Sequence, residues 1–248
     1  MKKEHYKTKS NLCYYLPLDG NLIEQVSGTD YGFRLNESWP GFKISYTADP
    51  VIQSRQCAKK VSTNNTVFVN FREVVDYSYD TPKNCINLIP RNTTTQLQFI
   101  DRTFHFSYYP SVVNTSKRFI LNTCESTVRT GGQVKGIDIF QTSNYFHLVY
   151  NNSSGNNRTL TILNNVDANK WYDFQISCKQ TDSSHLQFSI TILCEGVVVS
   201  QTPFSSLGDF PITQTDTDNY LFFFNSWWRD YNTRNFNGLL KDLMLTKT

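Results

Sequence analysis

Several things are scarce in this 248-residue sequence, and each scarcity excludes something. No apolar run approaches the roughly 20 residues a membrane helix needs, so no membrane insertion is expected. The opening MKKEHYKTKSN is charged but has no apolar h-region behind it, so it does not read as a secretion signal. A chain made in a cytosol is the expectation, with its cysteines as reduced thiols, several of them packed as small hydrophobes. None of the six cysteines (13, 57, 85, 124, 178, 194) forms a CxxC pair, which argues against a zinc site. Charged residues are only 18% of the chain, and the net charge of +3 is scattered. Nucleic-acid binding needs a clustered basic face, so no nucleic-acid partner is expected. No stretch keeps a helical period beyond a turn or two.

What is abundant is aromatic. The chain holds 18 Phe and 14 Tyr, and aromatics make up 15% of it. These are residue types that favour strands and can fill one sizeable core. The stretch from Trp171 to Ser200 organises the rest. Tyr172, Phe174, Ile176 and Cys178 alternate with Asp173, Gln175, Ser177 and Lys179, a period of two with one apolar face. The alternation resumes at Leu186, Phe188, Ile190, Ile192 and Cys194, and a tight turn at Glu195-Gly196 leads into three valines. Further strands are expected near 66–71, 96–108, 118–122, 136–141, 145–151, 159–163 and 220–225. Loops fall at 131–132 and 151–157.

Strands recurring with turn signals between them, without a linker or repeat, predict an all-β, two-sheet antiparallel sandwich in one domain over 13–248. Residues 1–12 are expected to be a flexible basic tail, or an arm that orders on a neighbouring subunit. Residues 47–95 read as an irregular insertion.

Three segments together resemble a known family. Tyr14 to Gly28, YYLPLDGNLIEQVSG, is similar to the opening strand and turn of laminin-G-like, concanavalin-A-like jelly rolls. Trp171-Tyr172 through Ile192-Leu193-Cys194-Glu195-Gly196 resembles that family's central hairpin. Phe236-Asn237-Gly238 through Leu245 resembles its closing strand. The resemblance implies a jelly-roll sandwich and a surface that binds carbohydrate. Lys241 departs from a frequent acidic residue of the family pattern, which weakens any family calcium site there.

Catalysis is not expected. The family's glucan-cleaving members carry an E-x-D-x-x-E strand that sets two carboxylates roughly 5–5.5 Å apart, and no such segment exists here. The four histidines (5, 105, 147, 185) stand beside no nucleophile elbow. Asp216, Asp218 and Asn219 offer hard oxygen ligands for calcium, but they lack the EF-hand spacing and read first as turn formers. No cofactor is therefore expected. Seven Asn-x-Ser/Thr sequons read as a by-product of composition.

The candidate ligand surface is Trp227, Trp228, Arg229, Asp230 and Tyr231, where aromatic faces can stack on sugar rings and Arg and Asp can hydrogen-bond. Adjacent residues of an extended chain point oppositely, so one Trp of the pair is expected to be exposed. The expected function is a non-catalytic structural or decorating component of a larger assembly, such as a virion or phage particle, contacting protein subunits. The alternative is a carbohydrate-binding, lectin-like adhesion module; a glycoside hydrolase is the remote third.

Overall fold

The computed structural model describes residues 12–20, 25, 44–60, 69–70, 86–87, 102–115, 118–122, 137–151, 157–182, 185–203, 210–211, 222–223 and 238–247. All regular structure among them is strand: β1 (Leu12–Leu16), β2 (Ile44–Ala48), β3 (Gln56–Lys60), β4 (Val69–Asn70), β5 (Ile86–Asn87), β6 (Arg102–Pro110), β7 (Arg118–Asn122) and β8 (Ile137–Thr142) in the first part of the chain. The second part holds β9 (Tyr145–Asn151), β10 (Asn157–Leu163), β11 (Tyr172–Asp182), β12 (His185–Cys194), β13 (Val197–Thr202), β14 (Phe210–Pro211), β15 (Phe222–Phe223) and β16 (Gly238–Lys247).

These strands build an all-β jelly-roll sandwich. A nine-stranded sheet runs β13-β12-β11-β6-β16-β3-β2, with β1 also on β16 and β14 also on β12. A five-stranded sheet runs β10-β9-β8-β7-β15, and β4 and β5 form a small parallel pair. Every pairing in the two large sheets is antiparallel.

Alternation decides which side chains enter the core. Phe104, Phe106 and Tyr108 of β6, Tyr172, Phe174 and Ile176 of β11, and Ile190 and Ile192 of β12 are all buried. They line the face of the large sheet that meets the small one. Phe146 of β9 closes the gap, with ring centroids 5.2 Å from Phe174 and 5.1 Å from Tyr172, the latter edge-on. Phe106 stacks on Phe174 at 4.7 Å. Such aromatic pairs add about 0.5–1.5 kcal/mol each beyond the area they bury. One polar bridge crosses this interior: Tyr108 donates to Gln141 Oε1 at 2.8 Å, and the Gln141 amide reaches the carbonyls of Val112 and Ser143.

The Glu195-Gly196 turn has φ of 50° and 87°, the left-handed pair that a two-residue hairpin with native twist requires. It feeds β13, a border strand of the large sheet whose Val197 is 67% exposed, followed by exposed Val198 and Val199. β6 ends at Pro110, which pairs with Gly238.

β16 changes neighbours along its length. Leu239 and Leu240 pair with β3 on one side, whereas Leu243 to Thr246 pair with β1 on that side; β6 flanks the other throughout. The register slips between Lys241 and Met244, and Asp242 there has φ of 59°. Asp is one of the few side chains that tolerate this conformation. At the start of β16, a Cβ on Gly238 would lie 2.2 Å from the Tyr109 carbonyl oxygen and 2.7 Å from Tyr108 Cε2. Gly238→Ala is therefore expected to cost about 1–3 kcal/mol by forcing β16 away from β6. A urea midpoint unchanged from the parent chain would contradict this.

Candidate functional site

Along β6 and β11, the residues that alternate with the core set face away from the small sheet and are polar. Ser107 donates to Asp173 at 2.5 Å, Thr103 and Ser177 share a hydrogen bond of 2.8 Å, and His105 Nε2 lies 3.1 Å from Thr246 Oγ1. Pairing sets Gln175 beside His105 and Thr191 beside Gln175. The result is a half-buried polar surface across β12, β11, β6 and β16.

At one end this surface meets a second, smaller apolar cluster. Cys57 of β3, Trp171 and Leu239 are buried together, with Tyr109 packed 5.2 Å from the Trp171 ring. Burial, with the charge of Asp49 adding to it, pushes the Cys57 thiol up to about 11, so it is no nucleophile near neutral pH.

Two ion pairs hold this end together. Asp49, fully buried, accepts the Val51 and Ile52 amides at 2.9 and 3.2 Å and the Trp171 indole N–H at 3.1 Å on one oxygen. Its other oxygen accepts from Lys241 Nζ, which also lies 3.7 Å from the centre of the Trp171 ring. The short Asx turn that results shapes the 49–55 loop, closed by the Asp49 amide donating to the Arg55 carbonyl at 2.8 Å. Asp242, one residue on, accepts Tyr15 O–H at 2.8 Å and both terminal nitrogens of Arg55 at 2.6 and 3.0 Å, a bidentate fork. The bulge in β16 is what lets adjacent residues serve two different clusters.

Beside these pairs opens a cleft of about 890 Å³. Five separate stretches of chain shape it: the Asp19-Gly20 turn after β1, the 49–55 loop running into β3, the Trp171–Asp173 stretch at the start of β11, the Glu195-Gly196 turn and the Lys241-Asp242 bulge. Its described lining is rich in carboxylates (Asp19, Asp173, Glu195, Asp242), with Val51 and Ile52 exposed on one lip.

The expected binding residues Trp227, Trp228, Arg229, Asp230 and Tyr231 lie outside the described residues, as do Asp216, Asp218 and Asn219 and the tail residues 1–11. Among the described residues, no group of three or more His, Cys, Asp or Glu is disposed to hold a metal ion. What reading along strands missed is convergence. The sequence has no E-x-D-x-x-E segment, yet four separate segments bring carboxylates to one cleft. The one visible signal was the charged pair Lys241-Asp242 inside the otherwise apolar LLKDLML.

No protein-family model matches the sequence, and no curated protein is similar to it. Solved structures do resemble the fold. An endo-beta-1,4-glucuronan lyase from the fungus Trichoderma reesei matches with a TM-score of 0.55 and 14% identity, over 96% of this chain and 96% of that one. A PL-14 alginate lyase from Aplysia kurodai matches at 0.53 and 10%, over 97% of this chain and all (100%) of that one. A looser likeness, at 0.39 and 12% over 59% of this chain and 75% of that one, is the Ruminococcus gnavus IT-sialidase CBM40 bound to alpha2,3 sialyllactose. At these identities the two fuller matches establish the jelly-roll sandwich and no chemistry.

The buried pair generates a stability prediction. Lys241→Ala leaves Asp49 buried without its cation and is expected to cost about 3–5 kcal/mol, whereas Asp49→Asn combined with Lys241→Met costs clearly less. Burial alone would raise the Asp49 carboxyl; the Lys241 hydrogen bond and charge, with the Val51 and Ile52 amides, outweigh it and hold the group below the usual carboxylate range. A depressed folded value stabilises fully above the unfolded Asp value of about 4 and loses that stabilisation as pH falls through the folded one. Urea midpoints recorded downward from pH 5 should fall more steeply in the parent chain than in the double variant. Parallel curves would count against the pair.

Proposed function

We propose that this chain is a carbohydrate-binding sandwich whose ligand enters the cleft between the Asp19-Gly20 and Glu195-Gly196 turns. The observation that carries the reading is the cleft itself. It is large enough for about two to three sugar rings by the usual scale of ligand pockets. Its described lining combines acceptors for sugar hydroxyls (Asp19, Asp173, Glu195, Gln56) with the apolar edge supplied by Val51, Ile52 and Trp171. Carboxylates accept hydroxyl donors in short, charge-assisted bonds, and apolar side chains meet the C–H faces of the rings. The motifs at Tyr14 to Gly28 and Phe236 to Leu245 favour the laminin-G-like, binding branch of this architecture. The Trp227–Tyr231 segment stays a candidate second contact for the same ligand. A role as a decorating part of a virion or phage particle draws no support from the structural neighbours.

Binding to a glycan array by the intact chain, reduced at least about tenfold by Asp173→Ala with Glu195→Ala, is the expected result, since two lost charge-assisted bonds amount to about 3 kcal/mol. Retention of every signal by the double variant would move the ligand elsewhere. Silence of the intact chain on every sugar class would end the reading.

A second reading is elimination on a uronate chain. It is favoured by His105 standing beside Gln175 on the polar surface of the large sheet and by the two lyases that share the fold. Such chemistry needs a base at the carbon next to the carboxylate and a donor or cation to quiet that carboxylate. Incubation with glucuronan and with alginate should then raise the ultraviolet absorbance of an unsaturated sugar end, and His105→Ala should abolish the rise. A flat trace with both polymers removes this reading.

A further inference from the structure

We infer that the cleft selects cationic over anionic chains, amino sugars foremost, and disfavours uronates, the class that the two lyases of the same fold are named for. This rests on the reading of the cleft as a carbohydrate site and specifies its ligand.

The first ground is which charges the cleft can present. Its described lining holds four carboxylates, Asp19, Asp173, Glu195 and Asp242, against two cations, Arg55 and Lys241. An acidic sugar would have to be met by one of those cations, and both are committed within the protein. Arg55 gives both terminal nitrogens to Asp242 at 2.6 and 3.0 Å, and its Nε is buried. Lys241 gives its ammonium to Asp49, a group seated beneath the cleft lining, and its remaining face lies against the Trp171 ring. Freeing either for a ligand would strand a buried carboxylate, which costs several kcal/mol. Among the described lining residues a uronate therefore meets more carboxylates than cations, and both of those cations are held by carboxylates of the protein.

The second ground is where the acids stand. Glu195 sits exposed at the tip of a hairpin, its backbone pinned by a 3.2 Å bond to the Trp171 carbonyl, and lines the same cleft as the exposed Val51 and Ile52. An ammonium on a ring held in this cleft is opposite in charge to that carboxylate, and acids outnumber cations among the described lining residues. Neutral sugars are accepted through their hydroxyls but gain nothing from the charge excess. The preference is electrostatic and partly exposed, so it weakens with salt.

Three probes of matched length separate the outcomes: glucosamine oligomers, cello-oligomers and oligoglucuronates, titrated calorimetrically against the full chain at low salt, then repeated with Glu195→Gln and Glu195→Lys. The expected order is glucosamine tightest, cellulose next, glucuronate weakest or absent. One rim charge is worth up to about 1 kcal/mol, so Glu195→Gln should lower glucosamine affinity about threefold more than cello-oligomer affinity. Glu195→Lys should narrow the gap to glucuronate further. Thermal melts of the variants, expected to match the parent because Glu195 is an exposed turn residue, separate lost selectivity from lost folding. Tightest binding of glucuronate, or equal losses for both other probes in Glu195→Gln, overturns the selectivity while leaving a carbohydrate site in place. No heat with any probe instead overturns the carbohydrate reading, and the selectivity with it.

Discussion

A carboxylate with no exposure to water, Asp49, holds together the end of the sandwich where the cleft opens. Four donors converge on it: two amides of its own loop, the indole of Trp171 and the ammonium of Lys241. A buried charge with fewer partners would be intolerable, and a buried pair contributes little net stability compared with an apolar substitute. What it supplies is definition. The loop at 49–55, the start of β11 and the middle of β16 can meet in only one arrangement that leaves no charge stranded. A slip of β16 by one residue would set Lys241 beside Arg55, or Asp242 beside Asp49, like charge against like. The bulge at this point, with Asp242 in a conformation closed to most side chains, is the geometric counterpart of that electrostatic lock.

The two sides of the large sheet thus do different work. The side toward the small sheet is filled by Phe104, Phe106, Tyr108, Phe146 and Phe174 and is held by shape. The opposite side is held by short polar bonds, Ser107 to Asp173 and Thr103 to Ser177, and by the ion pairs at its end. Commitment of Arg55 and Lys241 to structure is also what leaves the cleft acidic in character. The side chains that hold this end of the sandwich together also help set the charge of the cleft beside them.

Much of the architecture could be read along the chain. Strict alternation from Tyr172 to Cys194 located both strands and their inward faces, because a half-buried sheet admits only one face of apolar side chains. Arg118–Asn122 and Tyr145–Asn151 match the expected limits, and Glu195-Gly196 makes the turn its composition announced. The cleft was not readable in the same way. Period-two patterns report what each strand buries, and they are silent on which loops meet in space. Lys241 looked like a departure from a family motif; in three dimensions it is the cation that Asp49 requires, 192 positions earlier in the chain. Asp49 itself stood at the start of what read as an irregular insertion, where nothing local distinguishes a structural anchor from a turn residue.

The place of β16 in the sheet has a kinetic side. This segment is made after every other described strand and is flanked by β6 on one edge and by both β1 and β3 on the other. Until residues 238–247 have left the ribosome, β1 lacks its pairing with β16, and the edge of β6 that takes β16 stands open. Assembly dominated by pairings so distant in sequence is slow, since the entropy of closing the intervening loops is lost before any contact rewards it. The closing step of the large sheet is therefore a long-range one, possible only once β16 can reach between β6 and its two other neighbours.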